Sequence, residues 1–294
     1  MVMGFIKVKN GDEFISRKKK FIIFSFILLS AALFCYWQNN DVVITKYEVT
    51  DSKVPEAFEG FRILQVSDLH NKRFGKNQAD LIHLVKKVRP DIILITGDLI
   101  DRSRTDIFTA MDFVRQAVVI APVYYVTGNH EKSSREYPEL EKQLLESDVV
   151  IMDNHSELLQ KGVDSIALLG LEDPYFLPEA SRSEVICDTL KDISAGEEDR
   201  FKILLSHRPE LIDLYAGENI DLVFSGHAHG GQFRLPFIGG VFAPDQGFFP
   251  KYTSGINVSN NTSMVISRGL GNSVIPIRIF NRPELVLVTL KRVL

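Results

Sequence analysis

Five short segments of this chain each follow an apolar run and carry side chains that bind metal ions. They read Asp68-Leu69-His70, Gly97-Asp98-Leu99-Ile100-Asp101, Gly128-Asn129-His130-Glu131, Ser206-His207 and Gly226-His227-Ala228-His229. The segments supply carboxylate, imidazole and amide oxygen but no thiolate, a mixture typical of hard or borderline divalent cations rather than of a structural cysteine zinc site. Five of the chain's seven histidines lie in these segments. This concentration predicts one shared metal site.

The apolar runs before these segments are short and rich in branched and aromatic residues, as in strands buried on both faces. We expect strands at Phe61–Val66, Asp91–Thr96, Val123–Thr127, Phe201–Leu205 and Asp221–Ser225. Helical patterns lie between several of them, at Gln78–Val88, Thr105–Ala117 and Ser134–Leu145. This alternation predicts βαβ units, which place ligands at the carboxyl ends of their strands.

The second half of the chain has few helical patterns and several further predicted strands. These lie at Val149–Met152, Glu157–Leu159, Ser165–Leu169, Met264–Ser267 and Leu285–Leu290, and we expect them to form a partner sheet. The predicted fold class is α/β, with two packed mixed β-sheets flanked by α-helices. About 255 residues follow the apolar N-terminal stretch, enough for one large domain with a substantial core, which we place at 60–294.

An apolar stretch at Phe21–Trp37, interrupted only by Ser25 and Ser30, predicts a transmembrane helix at 21–37. Its length is at the short end for a spanning helix, and its last two residues are aromatic, as at a membrane interface. The basic cluster Arg17–Lys20 precedes it, so the positive-inside rule places 1–20 in the cytoplasm. We therefore expect a single-pass cell-membrane protein, with a linker and lead-in strand at 38–59 and an extracytoplasmic catalytic domain.

Two other interpretations of this stretch remain open. A cleavable signal peptide could use Phe21–Leu29 as its apolar core, with Ser30 and Ala32 before the cut. The apolar run continues beyond that point, which favours an uncleaved anchor. The other alternative, a buried core helix, fits poorly with the terminal position and the basic flank.

Charge is unevenly distributed along the chain. Residues 1–20 carry six basic and two acidic side chains, and since the whole chain is −4, the remainder is −8. An acidic body has no electrostatic surface for duplex nucleic acid, so we expect no such partner. The two cysteines, Cys35 and Cys187, exclude a disulfide framework.

The five segments, in this order, resemble the calcineurin-like metallophosphoesterases, whose motifs are D-x-H, G-D-x-x-D, G-N-H-E/D, a lone H and G-H-x-H. The resemblance covers nearly all of residues 60–294. Details such as Gly226–Gln232 and Ser267–Gly271, with the basic N-terminal anchor, resemble the membrane-associated YkuE/YaeI branch. The resemblance implies two divalent metal ions (Mn, Zn, Fe or Mg) and hydrolysis of a phosphoester by metal-activated hydroxide.

Roles carried over from the family fall on matching positions of this sequence. By resemblance, Asp68, His70 and His229 bind one metal, Asn129, His207 and His227 bind the second, and Asp98 bridges them. A shared carboxylate is also required physically, because two cations about 3.5–4 Å apart repel each other. His130 is the expected general acid, directed toward the leaving-group oxygen.

A weaker set of residues surrounds this predicted site. Asp101 is expected to orient a ligand histidine or the turn around Asp98, and Glu131 is most simply a turn residue. Arg208 and Arg268 are candidate phosphate-binding residues, as is Arg278, but a surface salt bridge is an equal alternative for each.

The predicted function is a membrane-anchored phosphodiesterase or diphosphate hydrolase, with a lipid-linked phosphoester as one possible substrate. An apolar, aromatic segment follows the last ligands, from Phe233 to Pro250. Its simplest interpretation is core of the second sheet, and the alternative is an exposed surface that receives an acyl chain or docks on lipid. Two other functions stay open: a phosphoesterase acting on small soluble phosphates or nucleotides, and a noncatalytic metal-binding module.

Overall fold

A computed structural model describes residues 17–272 and 276–293. The chain divides into two compact units, Met1–Trp37 and Gln38–Leu294. The first unit contains most of helix α1 (Arg17–Asn40), which by length and composition could cross a membrane, although a signal sequence would meet the same criteria. The predicted span 21–37 lies within α1. Of the predicted basic segment 1–20, residues 1–16 lie outside the described residues.

The described residues form sixteen strands and six further α-helices. The strands are β1 (Val43–Asp51), β2 (Arg62–Val66), β3 (Ile92–Thr96), β4 (Val123–Val126), β5 (Val150–Ile151), β6 (His155–Lys161), β7 (Asp164–Gly170), β8 (Lys202–Leu205), β9 (Leu222–Ser225), β10 (Arg234–Leu235), β11 (Gly239–Gly240), β12 (Phe242–Ala243), β13 (Gly247–Phe248), β14 (Gly255–Ser259), β15 (Thr262–Ile266) and β16 (Glu284–Arg292). The helices are α2 (Ala79–Val88), α3 (Ile107–Ala117), α4 (Asn129–Lys132), α5 (Tyr137–Leu145), α6 (Glu179–Ile193) and α7 (Ile212–Gly217).

Two six-stranded mixed sheets carry the fold, as the sequence predicts. The first has the order β1-β16-β2-β3-β4-β5, with β2, β3 and β4 parallel to one another. The second has the order β14-β15-β9-β8-β7-β6, with β7, β8 and β9 parallel. In both sheets the ligand-bearing segments therefore follow parallel central strands, whose carboxyl ends lie at one edge.

Apolar side chains fill the space between the layers of this second unit. Residues such as Ile63, Leu94 and Phe224 are fully buried in a cluster drawn from both sheets. The other face of the first sheet is covered by α2, α3 and α5, and that of the second sheet by α6 and α7. The helices flank the sheets because each has an apolar stripe, as in α2, where Leu81 and Val85 are buried.

Three details of the sequence prediction were wrong. Val149–Met152 and Leu285–Leu290 were expected in the partner sheet, but their strands β5 and β16 belong to the first sheet. Helix α6 was not predicted, because only Ile186 and Leu190 among its fifteen residues are buried, so its apolar stripe is thin.

The aromatic segment after the last ligands does not fill the core of the second sheet. It forms two short antiparallel hairpins, β10–β11 and β12–β13, that pair with neither main sheet. Each strand is only two residues long, so little of the segment can face a sheet. Phe237, Phe248 and Phe249 are exposed, whereas Ala243 is buried in the outer core of the second sheet. Most of the phenylalanine side chains of this segment are therefore exposed rather than part of that core.

Candidate metal centre

Loops at the carboxyl ends of five strands, drawn from both sheets, hold the predicted metal ligands. The ligands are Asp68 and His70 after β2, Asp98 after β3, Asn129 after β4, His207 after β8, and His227 and His229 after β9. Five of the seven have φ between 46° and 64°: Asp68, His70, Asp98, His227 and His229. This left-handed region costs a non-glycine residue of order 1–3 kcal/mol and is concentrated at functional sites. The surrounding fold therefore forces these side chains inward.

Two glycines let the ligand loops approach one another closely. A Cβ atom at Gly128 would overlap the Asp98 carboxylate, and one at Gly226 would overlap the side chains of Ser67 and Asp68. No other residue type fits either position without moving a carboxylate. The glycines of these motifs are thus explained by space next to the ligands.

The first group of candidate ligands contains Asp68, His70, Asp98 and His229, all buried, with ligand atoms within 4.8 Å of one another. Nε2 of His70 lies 3.1 Å from Nε2 of His229. The Asp68 Oδ1 atom is 3.3 Å from His229 Nε2. Ser67 Oγ donates a hydrogen bond to Asp68 Oδ2 at 2.6 Å, which fixes the carboxylate.

The second group contains Asp98, His207 and His227. Nε2 of His207 lies 3.2 Å from Nδ1 of His227. His207 Nδ1 donates to the Thr96 carbonyl at 2.7 Å, and His227 Nε2 donates to Asp245 Oδ2 at 2.8 Å. Because both acceptors lack protons, each ring donates from its outer nitrogen, and these bonds leave His207 Nε2 and His227 Nδ1 facing each other.

Asp98 belongs to both groups. Its Oδ2 atom lies 3.4 Å from His70 Nε2 and 3.3 Å from His207 Nε2. Its Oδ1 atom accepts a hydrogen bond from the His130 backbone N–H at 2.9 Å. Burial opposes ionisation of Asp98, but His207 and the other histidines outweigh it and hold its pKa well below the usual range. The shared residue is therefore a carboxylate at neutral pH.

The residues present fit a pair of divalent cations. Asn129 Oδ1 is buried and has no hydrogen-bond partner, as expected for an oxygen that binds a cation. Burial lowers the pKa of His70 to about 3 and that of His229 well below its usual value, so both rings are neutral, as metal ligands must be. Burial opposes protonation of His207, but the neighbouring Asp98 outweighs it and raises the pKa of His207 to about 10, so the carboxylates of this centre favour a positive charge between them.

His130 lies beside this centre and lines the adjoining cavity. Its ring packs edge-on against His70, with 4.5 Å between ring centroids. The Arg102 backbone N–H donates to His130 Nδ1 at 3.1 Å. That bond makes Nδ1 an acceptor, so the neutral ring carries its proton on Nε2.

Glu131 and Asp101, the two acidic residues of the weaker set, make different contacts. Glu131 accepts hydrogen bonds from three backbone N–H groups, those of Asp98, Ile100 and Gly128. It thereby joins the loops after β3 and β4, in agreement with its interpretation as a turn residue. Asp101 Oδ2 is 4.0 Å from His70 Nδ1, too far for a hydrogen bond.

The candidate phosphate-binding arginines lie in different places. Arg208 is buried at the cavity and forms ion pairs with Asp173 and Asp245. Arg268 lies outside that cavity and pairs with Glu284 at 2.9 Å. Arg278 is fully buried, and among the described residues it pairs with no carboxylate. It donates instead to carbonyl oxygens of Arg268 and Gly271.

A cavity of about 340 Å³ opens directly from the metal centre. Its lining includes Asp98, Asn129, His130 and Arg208, together with three residues that the sequence did not indicate: Arg102, Tyr175 and Arg182. Arg102 donates to the Tyr175 hydroxyl at 3.3 Å. Within 17–272 and 276–293, neither Arg102 nor Arg182 forms an ion pair with a carboxylate; Arg102 bonds to the Tyr175 hydroxyl and Arg182 to the Leu177 carbonyl. Both cations are thus available to an anionic ligand.

Asp245 is the other site residue that sequence reasoning missed. It sits in the sequence Pro244-Asp245-Gln246-Gly247, which is typical of a hairpin turn. In the fold it accepts from His227 Nε2, and that hydrogen bond helps to hold the pKa of Asp245 well below its usual range. Only the tertiary contact separates it from an ordinary turn residue.

Replacing Asp245 with alanine is expected to weaken binding of one metal by about 10–100-fold, since the acceptor that orients His227 is lost. Titration of the metal-free protein against a chromogenic chelator measures this. Asp245→Asn is the matched control: its amide oxygen can still accept from Nε2, so most of the affinity should return. Unchanged affinity in Asp245→Ala would show that His227 does not need this partner.

Comparison with known proteins identifies this arrangement. The family model described as Calcineurin-like phosphoesterase matches residues 61–231, more than half of the chain, and includes all five ligand segments. The chain belongs to this calcineurin-like phosphoesterase family. It is a metal-dependent phosphoesterase, as the sequence predicted.

Several relatives match this phosphoesterase over most of its length. The uncharacterized metallophosphoesterase YkuE of Bacillus subtilis is 26% identical, covering 87% of this chain and 88% of the relative. The uncharacterized metallophosphoesterase Cj0846 of Campylobacter jejuni is 30% identical, covering 91% and 69%. Phosphodiesterase YaeI of Escherichia coli is 27% identical, covering 78% and 82%. The resemblance to the YkuE and YaeI proteins that the sequence indicated is thereby confirmed.

Proposed function

We propose that this phosphoesterase binds two divalent metal ions and cleaves a phosphodiester or diphosphate bond. The observation that carries the proposal is the pair of buried ligand groups that share Asp98. A shared carboxylate between two imidazole-rich groups is what a two-metal centre requires, because it screens the repulsion between the cations.

Each metal has a proposed set of ligands. Asp68, His70 and His229 would hold the first, Asn129, His207 and His227 would hold the second, and Asp98 would be shared between them. Bound there, Mn, Zn, Fe or Mg ions would polarise the phosphoryl group and lower the pKa of water.

Proton transfer to the leaving group is assigned to His130. Because Arg102 N–H donates to Nδ1, the ring proton is held on Nε2. A histidine that presents an N–H to the cavity can protonate the oxygen that departs from phosphorus. His130 is itself held in place, since its backbone N–H donates to Asp98.

The cavity supports a substrate larger than a phosphate monoester. Its volume of about 340 Å³ lies within the roughly 300–1,000 Å³ typical of small-molecule sites. Arg102 and Arg182 add two cations beside the metal ligands, which favours a second anionic group such as the other phosphate of a diphosphate. Arg208 is already neutralised by Asp173 and Asp245, so we assign it to positioning rather than to substrate binding.

Helix α1 is proposed as an uncleaved membrane anchor, with 1–20 in the cytoplasm, 38–59 as linker and lead-in strand, and the catalytic domain 60–294 outside. A long apolar helix with a basic flank supports this orientation. It also favours phosphoesters at the membrane, including lipid-linked ones, over duplex nucleic acid. A reporter fused to the C-terminus that is active only in the cytoplasm would reverse the orientation.

The test uses the full chain in detergent micelles, stripped of metal and then supplied with Mn, Zn, Fe or Mg. Hydrolysis of bis(para-nitrophenyl) phosphate and of a nucleoside diphosphate sugar is expected to return with metal and to exceed that of para-nitrophenyl phosphate. Arg102→Ala should raise KM for the diphosphate by about tenfold, as loss of one charge-assisted hydrogen bond does. Arg115→Ala, on the exposed face of α3, is the control.

The second candidate function is a phosphoesterase for small soluble phosphates. It is favoured by the same two arginines, which would also bind a free nucleotide. A preference for the monoester would support it, whereas equal rates with and without Arg102 would show that Arg102 does not bind the substrate. A folded, metal-loaded protein that cleaves none of the three substrates would instead favour the metal-binding module.

A further inference from the structure

We propose that the two hairpins beside the active site dock on the surface of a lipid bilayer. The docking surface, here called the aromatic rim, consists of Leu235, Phe237, Ile238, Phe242, Phe248 and Phe249. All six side chains are exposed. This inference rests on the membrane anchoring proposed above and adds a second contact between the protein and the membrane.

The rim lies on two hairpins that follow each other directly in the chain. In the first hairpin, Leu235 pairs with Gly239, and its tip carries Phe237 and Ile238. In the second, Phe242 pairs with Phe248, and their rings are in contact with centroids 5.4 Å apart. The two ladders meet at Val241: its N–H donates to the Phe233 carbonyl of the first hairpin, and its carbonyl accepts from the Phe249 N–H of the second.

A neighbouring segment extends the apolar surface. Phe233 pairs with Ile279, and Arg234 N donates to the Ile279 carbonyl at 3.0 Å. On either side of Ile279, Ile277 and Phe280 are also exposed. Eight exposed apolar side chains on adjoining segments favour a contact surface over the scattered apolar residues of an ordinary exterior.

Its chemistry fits a membrane interface. Residues 233–252 contain only three charged side chains: Arg234, Asp245 and Lys251. Arg234 and Asp245 are bonded within the protein, to the Gly230 carbonyl and to His227 respectively, and Lys251 is exposed. A phenylalanine-rich surface with one exposed cation can enter the headgroup region of an anionic bilayer without burying an unpaired carboxylate.

The short connection between α1 and the catalytic unit favours a bilayer as the surface on which the rim docks. Only Asp41 and Val42 separate the end of α1 from the first strand. If α1 spans a membrane, the catalytic unit stays within a short tether of it. Tethering of this kind gives an effective concentration of order millimolar, so even a weak interfacial contact is populated.

Docking of the rim would bring the active-site cavity close to the bilayer surface. Pro244 and Asp245 lie between Phe242 and Phe248 in the chain, and both line the cavity beside the metal centre. A rim seated in the headgroup layer would therefore bring the cavity mouth to phosphoesters of that layer. The substrate class that follows is an amphiphilic phosphoester held in the membrane.

The test places a fluorescent label on the rim of the full chain. Cys35 and Cys187 are first replaced by serine, so that Phe237→Cys is the one site labelled with NBD. The labelled protein is then reconstituted in vesicles of phosphatidylethanolamine and phosphatidylglycerol that contain doxyl-labelled lipid. The label is expected to shift to the blue and to lose most of its emission. Val163→Cys, at the fully exposed turn between β6 and β7, is the matched control and should stay accessible to aqueous iodide.

Three outcomes decide the proposal. Adding Phe248→Ser and Phe249→Ser should release the Phe237 label to water while hydrolysis of bis(para-nitrophenyl) phosphate is unchanged. Equal quenching at both label positions would overturn docking, as would an equal response to monomeric lysophospholipid, which indicates an acyl-binding groove. If the chain fails to insert, the same labels are read after mixing with preformed vesicles. Failure of docking is thus separated from failure of the anchor or of the chemistry.

Discussion

Asp98→Ala is expected to remove both metal ions and to lower hydrolysis by about 10³-fold or more. One oxygen of Asp98 lies within 3.4 Å of His70 Nε2 and of His207 Nε2, so its loss takes a ligand from each group. Metal-based stabilisation of the transition state is worth several kcal/mol, which corresponds to this factor. Metal content by elemental analysis and turnover of the diester measure the two effects separately.

Two further variants separate metal loss from misfolding. Asp221→Ala also removes a largely buried carboxylate, which accepts from Lys202 N at 2.8 Å. Because Asp221 precedes β9, at the opposite end from His227, this control should keep both metals. Asp98→Asn keeps the acceptor for His130 N–H but not the charge, so an intermediate metal content is expected. Full metal content in Asp98→Ala would refute the shared-ligand assignment.

His130→Ala is expected to lower kcat by about 10²–10⁴-fold, the usual contribution of a general acid, while metal content stays unchanged. The loss should be greater for an ester with an alkyl alcohol leaving group than for one with para-nitrophenolate. The reason is that para-nitrophenolate departs without being protonated, whereas an alkoxide needs the proton held on Nε2.

The matched control is His83→Ala, because His83 is exposed on α2, outside the groups that could hold a metal. Its rate and metal content should equal those of the unmodified protein. If His130→Ala slows both esters by the same factor, His130 acts by positioning the substrate or Asp98 and not as the acid.

Several features of the fold could be predicted because they depend on local sequence. Strands such as Phe61–Val66 have short apolar runs and helices such as Gln78–Val88 have a helical apolar pattern, and the structure differs there by a single residue at one end. Sheet membership could not be predicted in the same way. The strand β16 lies far along the chain from its partners β1 and β2, and no local pattern encodes that pairing.

The residues of the candidate centre also fall into those that the sequence indicated and those that only the fold brought together. The candidate ligands could be picked out because metal chemistry requires carboxylates and imidazoles, and those residue types stand out at the ends of apolar strands. Asp245, Arg102 and Arg182 were not, because each is an ordinary turn or surface residue until the fold brings it to the cavity. Arg268 is the opposite case: the sequence made it a candidate phosphate-binding residue, but in the fold it forms an ion pair with Glu284 away from the cavity.

By itself, the sequence determined the family, the α/β class, the order of the ligand segments and the apolar N-terminal helix, because each depends on residue type and short-range spacing. The tertiary structure alone decided which side chains meet. It brought one oxygen of Asp98 between two histidines, set Asp245 against His227, and left the aromatic hairpins exposed. These are contacts between distant segments, and their geometry follows from the packing of two sheets rather than from any local pattern.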